Sequence, residues 1–259
     1  MKKREKPVIY YTDELTDEFS TAKIVAKTID GTYDYEGGFL RKAGRILFYH
    51  ILAKPVAWVF LKVKFGHRVV GGEVLKKYKS GGYFLYGNHT NAGADALIPT
   101  MISPGRSVYV IVHPNNVSMP VFGKITPSLG ALPLPDTKDA MKHFHSAIRN
   151  LVKKGNTIAI YPEAHIWPYY TGIRPFKKDS FGYPIQCKVP VFCFTNTYQK
   201  RRFFRTPRIV TYVNGPFYAQ EDLSLSEQKE QLRRLVYDTM VENSRHNTVE
   251  MISYRKKEG

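Results

Sequence analysis

Residues 83–100, YFLYGNHTNAGADALIPT, begin as an apolar, aromatic run, break at a turn holding Gly87, Asn88, His89, Asn91 and Gly93, and resume as a helix near Asp95. A short β-branched or aromatic run that ends in turn residues and passes into a helical pattern is the repeating unit of a parallel α/β sheet. The turn places His89 and Asp95 at the C-terminal end of a strand, where ligands gather in such sheets. A histidine, with an ordinary pKa of about 6.5, can take a proton from a hydroxyl, and a carboxylate on its other ring nitrogen fixes the tautomer and stabilises the imidazolium. Taken alone, the pair reads equally well as a polar turn histidine followed by a capping aspartate.

The same alternation continues outward from this stretch. Strands are predicted at His67–Val70, Tyr83–Tyr86, Val108–Val112, Ala131–Leu134, Thr157–Tyr161, Val191–Thr195 and Ile209–Val213. Met141, Phe144, Ile148, Leu151 and Val152 recur at helical spacing between Thr137, a cap, and Gly155, a stop. Leu232, Leu235, Val236 and Met240 mark a last helix from Ser224 to about Glu242, and the basic tail YRKKEG after it reads as frayed. The fold class is therefore α/β, with a largely parallel central sheet flanked by helices. Its 259 residues suffice for one sizeable core. Residues 67–259 form the α/β domain in this reading, and residues 1–38 an arm with at most short ordered pieces.

Between them, residues 39–66 (FLRKAGRILFYHILAKPVAWVFLKVKFG) interleave apolar residues with Arg41, Lys42, Arg45, Lys54, Lys62 and Lys64. The uncharged runs are shorter than the roughly 20 residues a helix needs to span a bilayer. The expectation is one or two short amphipathic helices broken at Pro55, which can lie in a lipid interface or pack on the core as a hairpin. The chain carries 39 Lys and Arg against 22 Asp and Glu, a formal charge of +17, so an anionic partner is expected. Nucleic acid, acidic lipid and phosphorylated substrates all meet that description. No nucleic-acid module is recognisable, and the 18 tyrosines and 15 phenylalanines sit within apolar runs, so nucleic acid is not the expected partner.

Cys187 and Cys193, flanked by apolar residues, suggest a reducing cytoplasmic setting, and no signal-peptide stretch follows the basic start. His143 and His145 are two apart on a helix and the cysteines lack zinc-site companions, so no metal is expected. Neither GxxxxGK[ST], nor GxGxxG between strand and helix, nor GxSxG occurs, which argues against nucleotide hydrolysis, dinucleotide binding and a serine acyl-enzyme.

Four blocks in order give the sequence a family resemblance. Asn88, His89 and Asp95 match an Asn-His-x4-Asp motif; LGALPLPDT, residues 129–137, stands where a strand enters a turn before a long helix. Tyr161, Pro162 and Glu163 then precede Arg174, Pro175, Phe176, Lys177 and Lys178, followed by Val189, Pro190 and Val191. Over roughly Arg68 to Val213 the chain resembles the glycerophosphate and lysophospholipid acyltransferases, including those acting on 1-acylglycerol 3-phosphate. The resemblance implies transfer of an acyl group from a thioester of coenzyme A or of an acyl carrier protein to an acceptor hydroxyl on a lipid. No cofactor beyond that acyl-donor substrate is implied. His89 would be the base and Asp95 its orienting group. Asn88, Glu163, Arg174, Lys177 and Lys178 would bind substrate, and the enzyme would rest on the anionic cytoplasmic face of the cell membrane.

Departures from the pattern bear on the acceptor. Five residues, not four, separate His89 from Asp95, so the turn must bulge, and Gly93 could allow it. Asp136 stands where the family has a phosphate-holding arginine, and Ala164, His165 and Ile166 replace Gly-Thr-Arg. Arg174, Lys177 and Lys178, or Lys138, could supply the missing cations; they also read as surface charges of a basic protein. His165 reads either as an acceptor contact or as a satisfied loop histidine.

Overall fold

The computed structural model describes residues 6–19, 25–38, 45–120 and 122–258. Seven strands form the central sheet: β2 (Arg68–Val70), β3 (Tyr83–Gly87), β4 (Val108–Val112), β5 (Ala131–Pro133), β6 (Thr157–Ile160), β7 (Val191–Gln199) and β8 (Arg208–Phe217), in the order β2-β8-β7-β3-β6-β4-β5. Neighbours are parallel except β7 and β8, which form an antiparallel hairpin. Each predicted strand is present, and β7 and β8 run well past their predicted ends because hairpin pairing continues beyond the apolar run.

In β3 every residue is buried, and alternate side chains enter different cores. Phe84 and Tyr86 pack with Phe144, Ile148 and Val152 of helix Lys138–Lys153 and with Leu232, Val236 and Met240 of helix Leu225–Ser244. Tyr83 and Leu85 pack on the other face with Leu61 and Phe65 of helix Lys54–Phe65, and with Ala94, Ile98 and Ile102. These three helices are named α1 (Lys54–Phe65), α2 (Lys138–Lys153) and α3 (Leu225–Ser244). Thr137 caps α2, its hydroxyl accepting from the Ala140 N–H, and Ser224 and Glu227 form a capping box at α3.

Pro55 changes the winding of its helix without breaking it. Wide, π-type turns over Ile46–Ala53 give way to α1, and the proline sits in the first α-turn, at the junction of the two windings. Residues 39–44, with Arg41 and Lys42, lie outside the described residues. Ala57, Leu61 and Phe65 bury one stripe of α1, while Val56, Trp58, Val59 and Val63 leave 59, 56, 51 and 70% of their surfaces exposed on others. The helix is thus apolar on its outer side as well as its inner one. No helix among the described residues is long and apolar enough to cross a membrane.

The chain ends differ from the sequence reading. Strand β1 (Val8–Tyr11) pairs in parallel with β9 (Ser253–Lys256), so the tail is a strand where fraying was expected. Aromatic packing explains it: Tyr11, Phe19 and Tyr254 close around the fully buried Trp167. Ile29 and Tyr35 of the arm enter the main core.

Candidate functional site

Gly87 ends β3 beneath the ring of Phe194, so close that a Cβ would lie 2.1 Å from Cζ. Only glycine fits there. That ring packs edge-on against Tyr161, and Tyr161 stacks on the imidazole of His89 at 4.4 Å between centroids. The residue after Gly87, Asn88, is pinned to β7: its Nδ2 donates to the carbonyl of Asn196, and the Asn196 N–H donates to its Oδ1. With both polar ends used on backbone, Asn88 holds the loop to the sheet and is itself buried.

The five-residue interval is closed by a turn of helix. Asn91 is extended, its Oδ1 accepts from the Ala94 N–H, and the short helix Ala92–Asp95 follows. One helical turn returns Asp95 above Asn91, within reach of the histidine. Gly93, which was expected to allow a bulge, has no positive φ, and a Cβ there would meet only ordinary contacts.

As a result the Nδ1 of His89 lies 2.9 Å from Oδ2 of Asp95. The N–H groups of Thr90 and Asn91 donate to the same oxygen at 2.8 Å each, and Nδ2 of Asn196 donates to Oδ1 at 3.2 Å. Asp95 is 1% exposed, whereas the histidine side chain keeps 18% of its surface. Because a carboxylate only accepts, Nδ1 carries the proton and Nε2 presents a lone pair. The Tyr161 hydroxyl donates to the Asp95 carbonyl, and burial, with the Asp95 charge second, pushes its pKa well above the ordinary phenol range.

The same rule of donors and acceptors orders a chain leading away from the site. Nδ2 of Asn196 must face Asp95, so its Oδ1 accepts from the Thr211 hydroxyl at 2.7 Å. With that proton committed, Thr211 accepts from Nε2 of His67 at 2.9 Å. His67 is 4% exposed, and burial, aided by the charge of Lys62, lowers its pKa to about 4.

Glu163 lies behind the loop. Its Oε2 accepts from the His89 N–H and its Oε1 from the Arg174 N–H, each at 2.9 Å. The Arg174 guanidinium is 3.7 Å from the carboxylate, donates to the carbonyls of Glu14, Glu163 and His165, and stacks 4.9 Å from the Trp167 ring. Burial pushes the Glu163 carboxyl up and the Arg174 guanidinium down, and each opposes the other's shift. Removing one member of such a pair typically costs about 3–5 kcal/mol, because the other is left buried and uncompensated. The N–H groups of Trp167 and Tyr169 donate to the carbonyls of His89 and Thr90, completing a clamp on the histidine loop.

Asn88, His89, Asp95 and Glu163 are thus brought together. Of the expected cations, Arg174 joins them through Glu163. It is fully buried, with its Nη groups on backbone carbonyls, so no face of it is open to a substrate phosphate. Lys177 is exposed, and Lys178 donates to Ser226 at the start of α3. Asp136, in the place of a phosphate-holding arginine, accepts from the Ile29 N–H at 2.7 Å and ties down the arm. His165 faces Glu18 of the arm at 3.7 Å. Sequence reading missed Asn196, Thr211 and His67, whose polar character in β7, β8 and the approach to β2 was the available signal. Among the described residues no cluster of three His, Cys, Asp or Glu side chains is arranged to hold a metal.

The sequence model of the acyltransferase family matches residues 67–195, a span holding the dyad loop, the clamp and most of the parallel sheet. The chain belongs to the acyltransferase family. The fold also resembles a solved structure, the 1-acyl-sn-glycerophosphate acyltransferase PlsC from Thermotoga maritima, with a TM-score of 0.53 and 19% identity over 80% of this chain and 90% of that one. Among curated proteins no sequence matches. This acyltransferase therefore shares a mostly parallel architecture with PlsC, and the Pro-Glu block of its sequence falls in the clamp around His89, as does Arg174, which directly precedes the Pro-Phe-Lys-Lys block.

Proposed function

We propose that this acyltransferase moves a fatty acyl group from a thioester, on coenzyme A or an acyl carrier protein, to a hydroxyl of a lysophospholipid or glycerol-phosphate-type acceptor. The observation that carries the mechanism is the 2.9 Å contact of His89 Nδ1 with the buried Asp95 carboxylate, which leaves Nε2 as the free base. As the acceptor oxygen attacks the thioester carbonyl, His89 takes its proton. Asp95 holds the ring and stabilises the imidazolium, and the thiol departs with a proton returned by the ring. General-base assistance of this kind is worth about 10² to 10⁴ in rate. Glu163 and Arg174 position the loop from behind.

A lipid acceptor resides in a bilayer, and the outward apolar stripe of α1 with the +17 charge supports peripheral attachment to an anionic leaflet on the cytoplasmic side. The burial of Arg174 and the bond from Lys178 to Ser226 favour a second reading, a non-phosphate lipid alcohol as acceptor.

Purified protein supplied with a labelled acyl thioester and either 1-acylglycerol 3-phosphate or monoacylglycerol tests both. Ester formed on the first acceptor at the higher kcat/KM supports the phosphate reading, and the reverse order supports the second. Ester from neither, or full activity in His89→Ala, overturns the mechanism.

A further inference from the structure

We infer that the β7–β8 hairpin is a second lipid-docking element, which seats the His89 end of the sheet on an anionic bilayer. Its connecting loop, residues 200–207, reads KRRFFRTP: four cations, two adjacent phenylalanines and no acidic residue. Phe203 and Phe204 are 82 and 58% exposed, with Arg202 over the first ring and Arg201, at 3.6 Å, over the second. A folded domain gains nothing by holding two neighbouring phenylalanines in water at a hairpin tip. A bilayer interface accepts such rings, with arginines meeting the lipid phosphates around them.

Topology gives the loop its place. Gly87, at the end of β3, is paired with Phe194, and β7 runs on to Gln199, so the hairpin rises about 16 Å beyond the strand end that carries His89. It leans on the end of α1: Nη1 of Arg201 donates to the Lys64 carbonyl at 2.9 Å. The exposed Trp58, Val59 and Val63 therefore belong to the same region as the hairpin tip, and Phe60 of α1 approaches Gly93 of the dyad loop. At the root of the hairpin an open groove is lined by Arg68, Lys200, Arg208, Arg245 and His246 with no acidic side chain in its wall; Arg245 also pairs with Glu242. Cations beside exposed aromatic and aliphatic groups, all at one end of the sheet, match a surface that is anionic at its face and apolar beneath. A nucleic acid or an acidic protein would satisfy the cations and leave the apolar groups in water.

The inference rests on the proposed lipid acceptor, and one experiment separates the two. Wild type, Phe203→Ser/Phe204→Ser and Arg202→Gln/Arg205→Gln are sedimented with vesicles of phosphatidylglycerol and phosphatidylcholine, and with phosphatidylcholine alone. Each is also assayed on a short-chain acceptor dissolved as monomers. Binding to the anionic vesicles should fall roughly tenfold in the phenylalanine variant. It should fall roughly twenty-five-fold at low salt in the arginine variant, about fivefold per charge. Turnover of the dissolved acceptor should stay within twofold of wild type in both. Variants that bind anionic vesicles as wild type does overturn the inference and leave the acceptor reading standing, as would a loss confined to binding of acyl carrier protein. Wild type that fails to sediment with either vesicle overturns the membrane reading and the inference with it.

Discussion

His89 and His67 stand at opposite ends of one hydrogen-bonded chain, and their surroundings differ in two respects that decide what each can do. His89 has a carboxylate on one nitrogen and an open face at the other. His67 has a hydroxyl on Nε2 and is almost fully enclosed, and burial lowers its pKa to about 4, which keeps it neutral at pH 7. A buried histidine without an anion is a fixed donor; the same ring against a carboxylate and beside solvent is arranged for the base role proposed for it. In sequence only the Asp95 that follows His89 sets them apart, since each otherwise follows a glycine or asparagine next to an apolar run.

The comparison breaks most directly on turnover. His89→Gln is expected to lower kcat by about 10³-fold or more, and His67→Gln, which keeps a donor toward Thr211, by less than threefold; equal losses in a steady-state assay would erase the distinction. Asp95→Asn comes next. It keeps the shape and removes the charge that fixes the tautomer, so kcat should fall by roughly 10²-fold with a smaller change in KM.

A pH series of denaturant melts probes the other ring. Its folded pKa of about 4 lies below the unfolded value, so the stability it contributes is complete above about pH 6.5 and is lost as the unfolded chain takes up the proton between there and pH 4. The loss should approach 3 kcal/mol in wild type and be largely absent from His67→Gln. Smallest is Thr211→Val, which strands the His67 donor and one Asn196 oxygen: about 2 kcal/mol of stability should go while kcat changes less than threefold. A large kcat effect there would mean that the far end of the chain tunes the near one.

The seven strands were legible because apolar runs bounded by turn residues report burial directly. Their order was not, since pairing depends on contacts between residues far apart in sequence, and the antiparallel turn of β8 has no local marker. His89 and Asp95 were legible as a pair at a strand end, but not the way their loop closes. The extra residue pointed to Gly93, whereas a cap by Asn91 completes a full helical turn. Arg174 shows the limit most plainly. A cation in a basic sequence reads as a ligand for phosphate, and nothing local reveals that its guanidinium is buried beside Glu163 and donates to the carbonyls of Glu14, Glu163 and His165. Asp136 fails for a similar reason, its partner being Ile29, more than 100 positions away.

The parallel pairing of β1 with β9 sets an order of assembly. Tyr254 stacks on Trp167, whose Nε1 donates to the Asp17 carbonyl, and the Glu14 carbonyl accepts a hydrogen bond from Arg174 behind the His89 loop. The arm that helps close the clamp is made about 245 residues before its strand partner, Ser253–Lys256. At 5–20 residues per second, roughly ten to fifty seconds separate the two on the ribosome. From the synthesis of the dyad loop to the end of that interval the loop lacks part of its backing, so a nascent chain holds the chemistry in its sequence before it holds it in space.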